Sequence, residues 1–159
     1  MAIQSSTGAP ETGVTDIASD VRRRSAGLCE YCRMPEAAFR RPFHIEHIVA
    51  KQHGGLTQLD NLALACGACN LKKGPNLTGI DPETGHIIPL FNRRKDRWVD
   101  HFAFAMEHLP GVGIEIKGQT PIGRTTTRVL GMNNETRKRT RYELWREGMH
   151  FDSVAHRVF

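Results

Sequence analysis

Ile17 and Val21, four apart behind Thr15 and ahead of Arg22 to Arg24, predict a short helix that runs to about Ala26. Thr15 would cap it, the cations would sit where the helix dipole favours them, and Gly27 would stop it. From Phe43 to Val49 apolar and polar residues largely alternate, the period of a half-buried strand. A loop with Gly54-Gly55 spans Gln52 to Asp60, and Asn61 to Ala65 reads as a second short strand. A helix then opens near Cys69 and runs through Lys73 until Gly74-Pro75 breaks it. Further on, Asp81 to Gly85 is a turn between strands, His101 to Ala105 a strand or a helix end, and Gly113 to Ile116 a strand. Thr120-Pro121 opens a helix to about Met132, with proline at the first helical position, and Asn134 caps a last one through Glu147. These elements predict an α+β protein.

Met1 to Gly13, rich in small and polar residues, reads as a disordered tail, so the chain divides into a tail (1–14), one domain (15–150) and a C-terminal tail (151–159). With 159 residues the domain is long enough to bury a real core. No apolar run approaches the ~20 residues of a membrane span and the N-terminus lacks signal-peptide character, so a cytoplasmic protein without a membrane partner is expected.

The formal charge of +5 favours an anionic partner. It is unevenly spread: residues 1–20 carry −3, 21–80 carry +5, 81–120 carry −1 and 121–159 carry +4.

The 4 cysteines change the picture most, because they fall as two Cys-x-x-Cys pairs, Cys29/Cys32 and Cys66/Cys69. Redox pairs, disulfides and a tetrahedral metal site are the possibilities. A cytosolic setting disfavours stable disulfides, and neither flank resembles a thioredoxin-like strand-to-helix turn, which leaves one structural Zn²⁺. The pairs are separated by 33 residues, more than the about 15 to 20 of a simple zinc ribbon. That insert holds His44, Glu46, His47 and Asn61, and Asn70 and Lys73 follow the second pair. If one zinc clamps both knuckles, the strand with Glu46-His47 is drawn against the helix with Asn70. A carboxylate and an amide oxygen would then share one space, a hard donor set suited to Mg²⁺ or Mn²⁺, with His47 placed to take a proton from water.

Cys29-x-x-Cys32, His44-Ile45-Glu46-His47-Ile48, Gly54-Gly55, Asp60-Asn61-Leu62, Cys66-x-x-Cys69-Asn70 and Lys73 together resemble the HNH endonucleases, the ββα-metal nucleases with a zinc-binding knuckle. The likeness is dense over 22–75. Gly79 to Gly85, Pro89 to Asn92, Trp98-x-x-His101-Phe102 and Gly118-x-Thr120-x-x-Gly123-Arg124 extend it, resembling a bacterial HNH subgroup. The resemblance implies a ββα core, with His47 as general base, Glu46 and Asn70 as ligands of the catalytic ion, and Asn61 bracing the loop that carries the base. His44 would be an extra ligand, a phosphate contact or structural. Many members have Asp where Glu46 stands and His where Asn70 stands, and a proline where Val49-Ala50 occurs here.

Phosphodiester hydrolysis needs an in-line water, a base and positive charge at the phosphate. Lys73 and Lys51 are candidates to hold that phosphate. In the last predicted helix Arg137, Lys138 and Arg141 share one side and are candidate DNA contacts, while Leu144 and Trp145 would dock on the core. The expected activity is metal-dependent cleavage of DNA, with RNA as a further substrate class. A zinc-knuckle nucleic-acid-binding module without catalysis is the alternative.

Overall fold

The computed structural model describes residues 16–106 and 113–149. Both predicted tails lie outside these residues, as do Thr15, 107–112 and His150 of the predicted domain. Helix α1 covers Ile17–Arg24. Asp16, one residue later than expected, is its cap: the carboxylate accepts from the Ala18 amide at 3.4 Å. The helix buries Val21 and carries Arg22, Arg23 and Arg24 in its last turn. Ala26 and Gly27 both take positive φ, so the chain reverses there into the first knuckle.

Strands β1 (His44–His47) and β2 (Leu62–Ala65) pair antiparallel with Glu46 opposite Ala63 and His47 opposite Leu62. Each is shorter at its ends than the alternating pattern suggested. Phe43 and Ile48 lie outside β1 yet are buried, because core packing continues where strand pairing stops. Helix α2 (Gly67–Lys73), capped by Cys66, opens two residues earlier than expected and ends at Gly74. The order β1, β2, α2, with one cysteine pair ahead of β1 and the other where β2 passes into α2, is the expected ββα core.

The first knuckle is tied to that core by more than sulfur. Glu30 donates its amide to Leu64 O at 2.8 Å and accepts the Leu64 amide on its own carboxylate at 2.9 Å, so the knuckle extends the free edge of β2. Arg94 pairs with the same buried carboxylate, and Trp98 donates its indole N–H to Tyr31 O at 2.8 Å.

The second half wraps the core. Strands β3 (Thr78–Ile80) and β4 (Ile87–Pro89) form a hairpin across the predicted turn. In that turn Asp81 accepts from the Arg124 guanidinium at 3.0 and 2.8 Å. The one-turn helix α3 (Trp98–His101) runs directly into β5 (Phe102–Met106), so both readings of that stretch hold in succession. β5 pairs antiparallel with β6 (Ile114–Gly118). Helix α4 (Pro121–Val129), capped by Thr120, stops short of the predicted Met132, and α5 (Glu135–Arg146) is capped by Asn134 as expected. One continuous apolar cluster joins the halves, from Val21 and the cysteines through Leu62 and Leu64 to Trp98, Phe102, Ile114 and Leu144.

Candidate functional site

The four cysteine sulfurs lie within 4.8 Å of one another, all buried. Cys32 and Cys66 Sγ are 3.7 Å apart. A tetrahedral site with Zn–S bonds of about 2.3 Å has an edge of about 3.8 Å, so the spacing fits zinc without rearrangement. Backbone amides support the sulfurs: Cys66 donates to Cys29 Sγ at 3.3 Å and Cys69 to Cys66 Sγ at 3.5 Å. Burial pushes the Cys29 and Cys69 thiols well above the ordinary thiol value. Four thiolates therefore require a cation among them, and this donor set suits Zn²⁺.

Arg137 supplies a second positive charge at the same place. Its Nη2 donates to Cys69 Sγ at 2.9 Å, and its Nη1 donates to Leu130 O at 2.7 Å and Gly131 O at 3.1 Å. Burial opposes the guanidinium charge, yet the sulfurs, Cys69 foremost, outweigh it and raise the Arg137 pKa. Arg141 is fully buried, donates to Ile114 O at 2.5 Å and to Met132 O, and is lowered to about 10 by desolvation. These two residues were candidate DNA contacts; the structure corrects that. They point inward because backbone carbonyls and thiolates leave acceptors in the interior that only long cationic side chains reach. Lys138 is buried as well and pairs with Glu135 at 3.0 Å.

His47 ends β1, half-buried, with its Nε2 at 2.9 Å from Thr57 Oγ1. Thr57 was not singled out by sequence reasoning; its place just after Gly54-Gly55 is the one signal that could have found it. The loop bearing Thr57 is fixed by Asn61. Its Oδ1 accepts the Val49 amide at 2.9 Å, and its Nδ2 donates to Val49 O at 3.0 Å and Leu56 O at 2.9 Å. Gly55 is required by close approach: a Cβ there would sit 1.7 Å from Val49 O and 2.8 Å from Asn61 Nδ2. Gly54 takes φ 83°, a left-handed conformation that glycine adopts without a Cβ penalty.

Glu46 faces inward. It is 6% exposed, accepts from the Tyr31 hydroxyl and lies 3.4 Å from Lys73 Nζ. Burial raises its pKa against the opposing pull of Lys73. Tyr31 is raised well above its usual value, by burial first and then by the Glu46 charge. Lys73 is 2% exposed and also donates to Ile48 O at 2.9 Å and His47 O at 3.4 Å. It was expected to hold phosphate; the structure corrects this, since its ammonium is spent under β1 on the strand carrying His47. Asn70 is half-buried on α2, Lys51 is exposed at the start of a 3-10 turn, and His44 is exposed at the far end of β1. Among the described residues, the four cysteines are the one cluster of three or more His, Cys, Asp and Glu side chains suited to a metal, and His44, Glu46 and His47 do not form another.

Residues 29–76 match the family model described as HNH endonuclease. The match covers the two knuckles, β1, β2 and α2, and stops before β3. No curated protein and no solved structure matches the chain. The segment that is similar to the HNH endonucleases thus coincides with the ββα core and with four cysteines positioned to form a metal site.

Proposed function

We propose that the protein is a nuclease that hydrolyses phosphodiester bonds of DNA, with His47 as general base. The match of residues 29–76 to the HNH endonucleases carries this reading, and the His47–Thr57 pair beside an Asn61-braced loop supports it. In the tautomer whose Nε2–H donates to Thr57 Oγ1, the Nδ1 lone pair is left to accept a proton from an attacking water. Asn61 and Gly55 are positioning residues for that loop. Lys51, exposed two residues past Val49, is the remaining lysine candidate for the phosphate.

The divalent ion implied by the resemblance does not fit Glu46 as packed. Both carboxylate oxygens have partners, one of them a cation at 3.4 Å, and little of the side chain meets water. No step is therefore routed through a metal on Glu46 and Asn70. The same sequestered carboxylate favours the second reading, a zinc-clamped nucleic-acid-binding module without hydrolysis.

Plasmid cleavage by the zinc-loaded protein, with Mg²⁺ or Mn²⁺ and with chelation of added metal, separates the two. His47→Ala is expected to lose about 10²- to 10⁴-fold in rate with DNA affinity kept. Glu46→Gln and Asn70→Ala at graded Mg²⁺ test the ligand assignment. With Glu46 held by Lys73, the Mg²⁺ needed for half-maximal rate stays unchanged in Glu46→Gln. A several-fold rise there would restore it as a ligand. Wild-type protein that binds DNA and never cuts it refutes the nuclease reading.

A further inference from the structure

At the far end of β1 from His47 an open groove of about 460 Å³ lies between the segment following the first knuckle and helix α5. That size falls within the about 300 to 1,000 Å³ of small-ligand sites. Phe39, Arg40, Arg41, Phe43, His44 and Thr140 are among the residues lining it. The Phe39 and Phe43 rings are 5.4 Å apart and tilted by 52°, with Phe43 buried and Phe39 41% exposed. Arg40 and Arg41 are exposed and make no ion pair or side-chain hydrogen bond among the described residues. They contrast with Arg22, Arg94, Arg124, Arg137 and Arg141, each of which has partners within the fold.

We propose that this groove binds a single-stranded segment of nucleic acid, with a base stacked on Phe39 and the flanking phosphates held by Arg40 and Arg41. It rests on the nucleic-acid reading above and names the form of the substrate. A duplex offers a protein mainly phosphates, whereas an unpaired strand offers phosphates and base faces together. An apolar, aromatic wall beside unpaired guanidiniums complements the second. His44 sits in the groove wall, a place that suits a contact to the strand.

Binding is measured in the His47→Ala background, so that cleavage does not consume the probe, with a labelled short oligothymidine and a duplex of equal length. The double substitution Arg40→Ala with Arg41→Ala is expected to weaken oligothymidine binding and to shallow its log affinity against log salt by about 1.4, two contacts at ~0.7 each. Phe39→Ala is expected to weaken it by about 5- to 150-fold, the range for loss of one stacked base. Arg40 and Arg41 are exposed, so thermal melting of the double variant should stay at the parent value, and Phe39→Ala, which also loses its packing on Phe43, is read at a temperature where its own melt shows it folded. Unchanged affinity and slope, or equal losses for the duplex, would overturn the groove proposal while leaving the nuclease reading intact. Losses confined to oligothymidine, in a protein whose His47 form never cuts, would uphold the groove and refute the nuclease.

Discussion

Arg137→Ala distinguishes an internal brace from a DNA contact by both sign and size. The side chain makes three buried interactions: to Leu130 O at 2.7 Å, to Gly131 O at 3.1 Å and to Cys69 Sγ at 2.9 Å. Truncation leaves a thiolate cluster with net negative charge next to two carbonyls without that donor. Removing one partner of a buried charge pair costs about 3 to 5 kcal/mol. For a chain of this size each kcal/mol lowers the melting temperature by about 2 to 4 °C, so the expected drop is about 6 to 20 °C. Arg137→Lys keeps the charge but cannot serve the carbonyls and the sulfur at once, and it should fall between the parent and Arg137→Ala. Thermal melting of zinc-loaded protein by circular dichroism reads this, with DNA affinity at several salt concentrations beside it. An unchanged melt with a salt slope shallower by about 0.9, the loss of one phosphate contact, would refute the brace and return Arg137 to the DNA surface.

Two further outcomes follow from the same structure. The purified protein should hold one Zn²⁺ for its one four-cysteine cluster by elemental analysis, and Cys66→Ser should lose it and unfold in part, because metal binding is part of the folding free energy; a metal-free, disulfide-linked fold by native mass spectrometry would contradict this. Asp81 is held well below the ordinary carboxylate range, first by the Arg124 guanidinium and then by the Glu83 amide and Thr84 hydroxyl against the penalty of burial. A depressed native pKa means the stabilisation is complete above the unfolded value of about 3.9 and is lost as pH falls toward the native one. Melting temperature should therefore decline below about pH 4, and Asp81→Asn should flatten that acid limb; an identical limb in the variant would show that Arg124 does not set it.

The elements were legible in the sequence because their signals are local. Asn134 as a cap, Thr120-Pro121 at a helix start, Gly74 at a helix end and the period of two along β1 each depend on residues within one turn or one pleat. The zinc centre was legible for a related reason: Cys-x-x-Cys spacing is what the geometry of a knuckle demands. The direction of long polar side chains was not legible. Glu46 and Lys73 look like a ligand and a phosphate contact by spacing, and they meet each other inside, where each offsets part of the cost of burying the other. Arg137 and Arg141 stand at helical spacing on one side of α5, and that side faces the core. Leu144 docks as expected, whereas Trp145 stays 40% exposed, ring to ring with Tyr142 at 6.0 Å. Helical periodicity says which residues share a face; only tertiary packing says which face is wet.

This has a consequence for the charge of the molecule. Two basic regions read from the sequence suggested two surfaces for an anionic partner. In the second, Arg137, Lys138 and Arg141 are buried, and four thiolates with a bound Zn²⁺ would carry a net −2 beside Arg137, whose guanidinium donates to Cys69 Sγ. In the first, Lys73 is spent on Glu46, and Arg24 donates to Leu59 O and Leu62 O. Much of the positive charge is thus internal counter-charge to sulfur, carboxylate and backbone carbonyl. Arg40 and Arg41 at the groove and Lys51 by the His47 loop stay outside, as do Lys72, Lys95, Lys117, Arg128 and Arg139 on other elements. Arg40 and Arg41 precede β1, the strand that carries His44 and His47, and Lys51 follows it. Formal net charge alone therefore overstates α5 as an anion-binding surface, since Arg137, Lys138 and Arg141 are buried and of its cations Arg139 and Arg146 stay exposed.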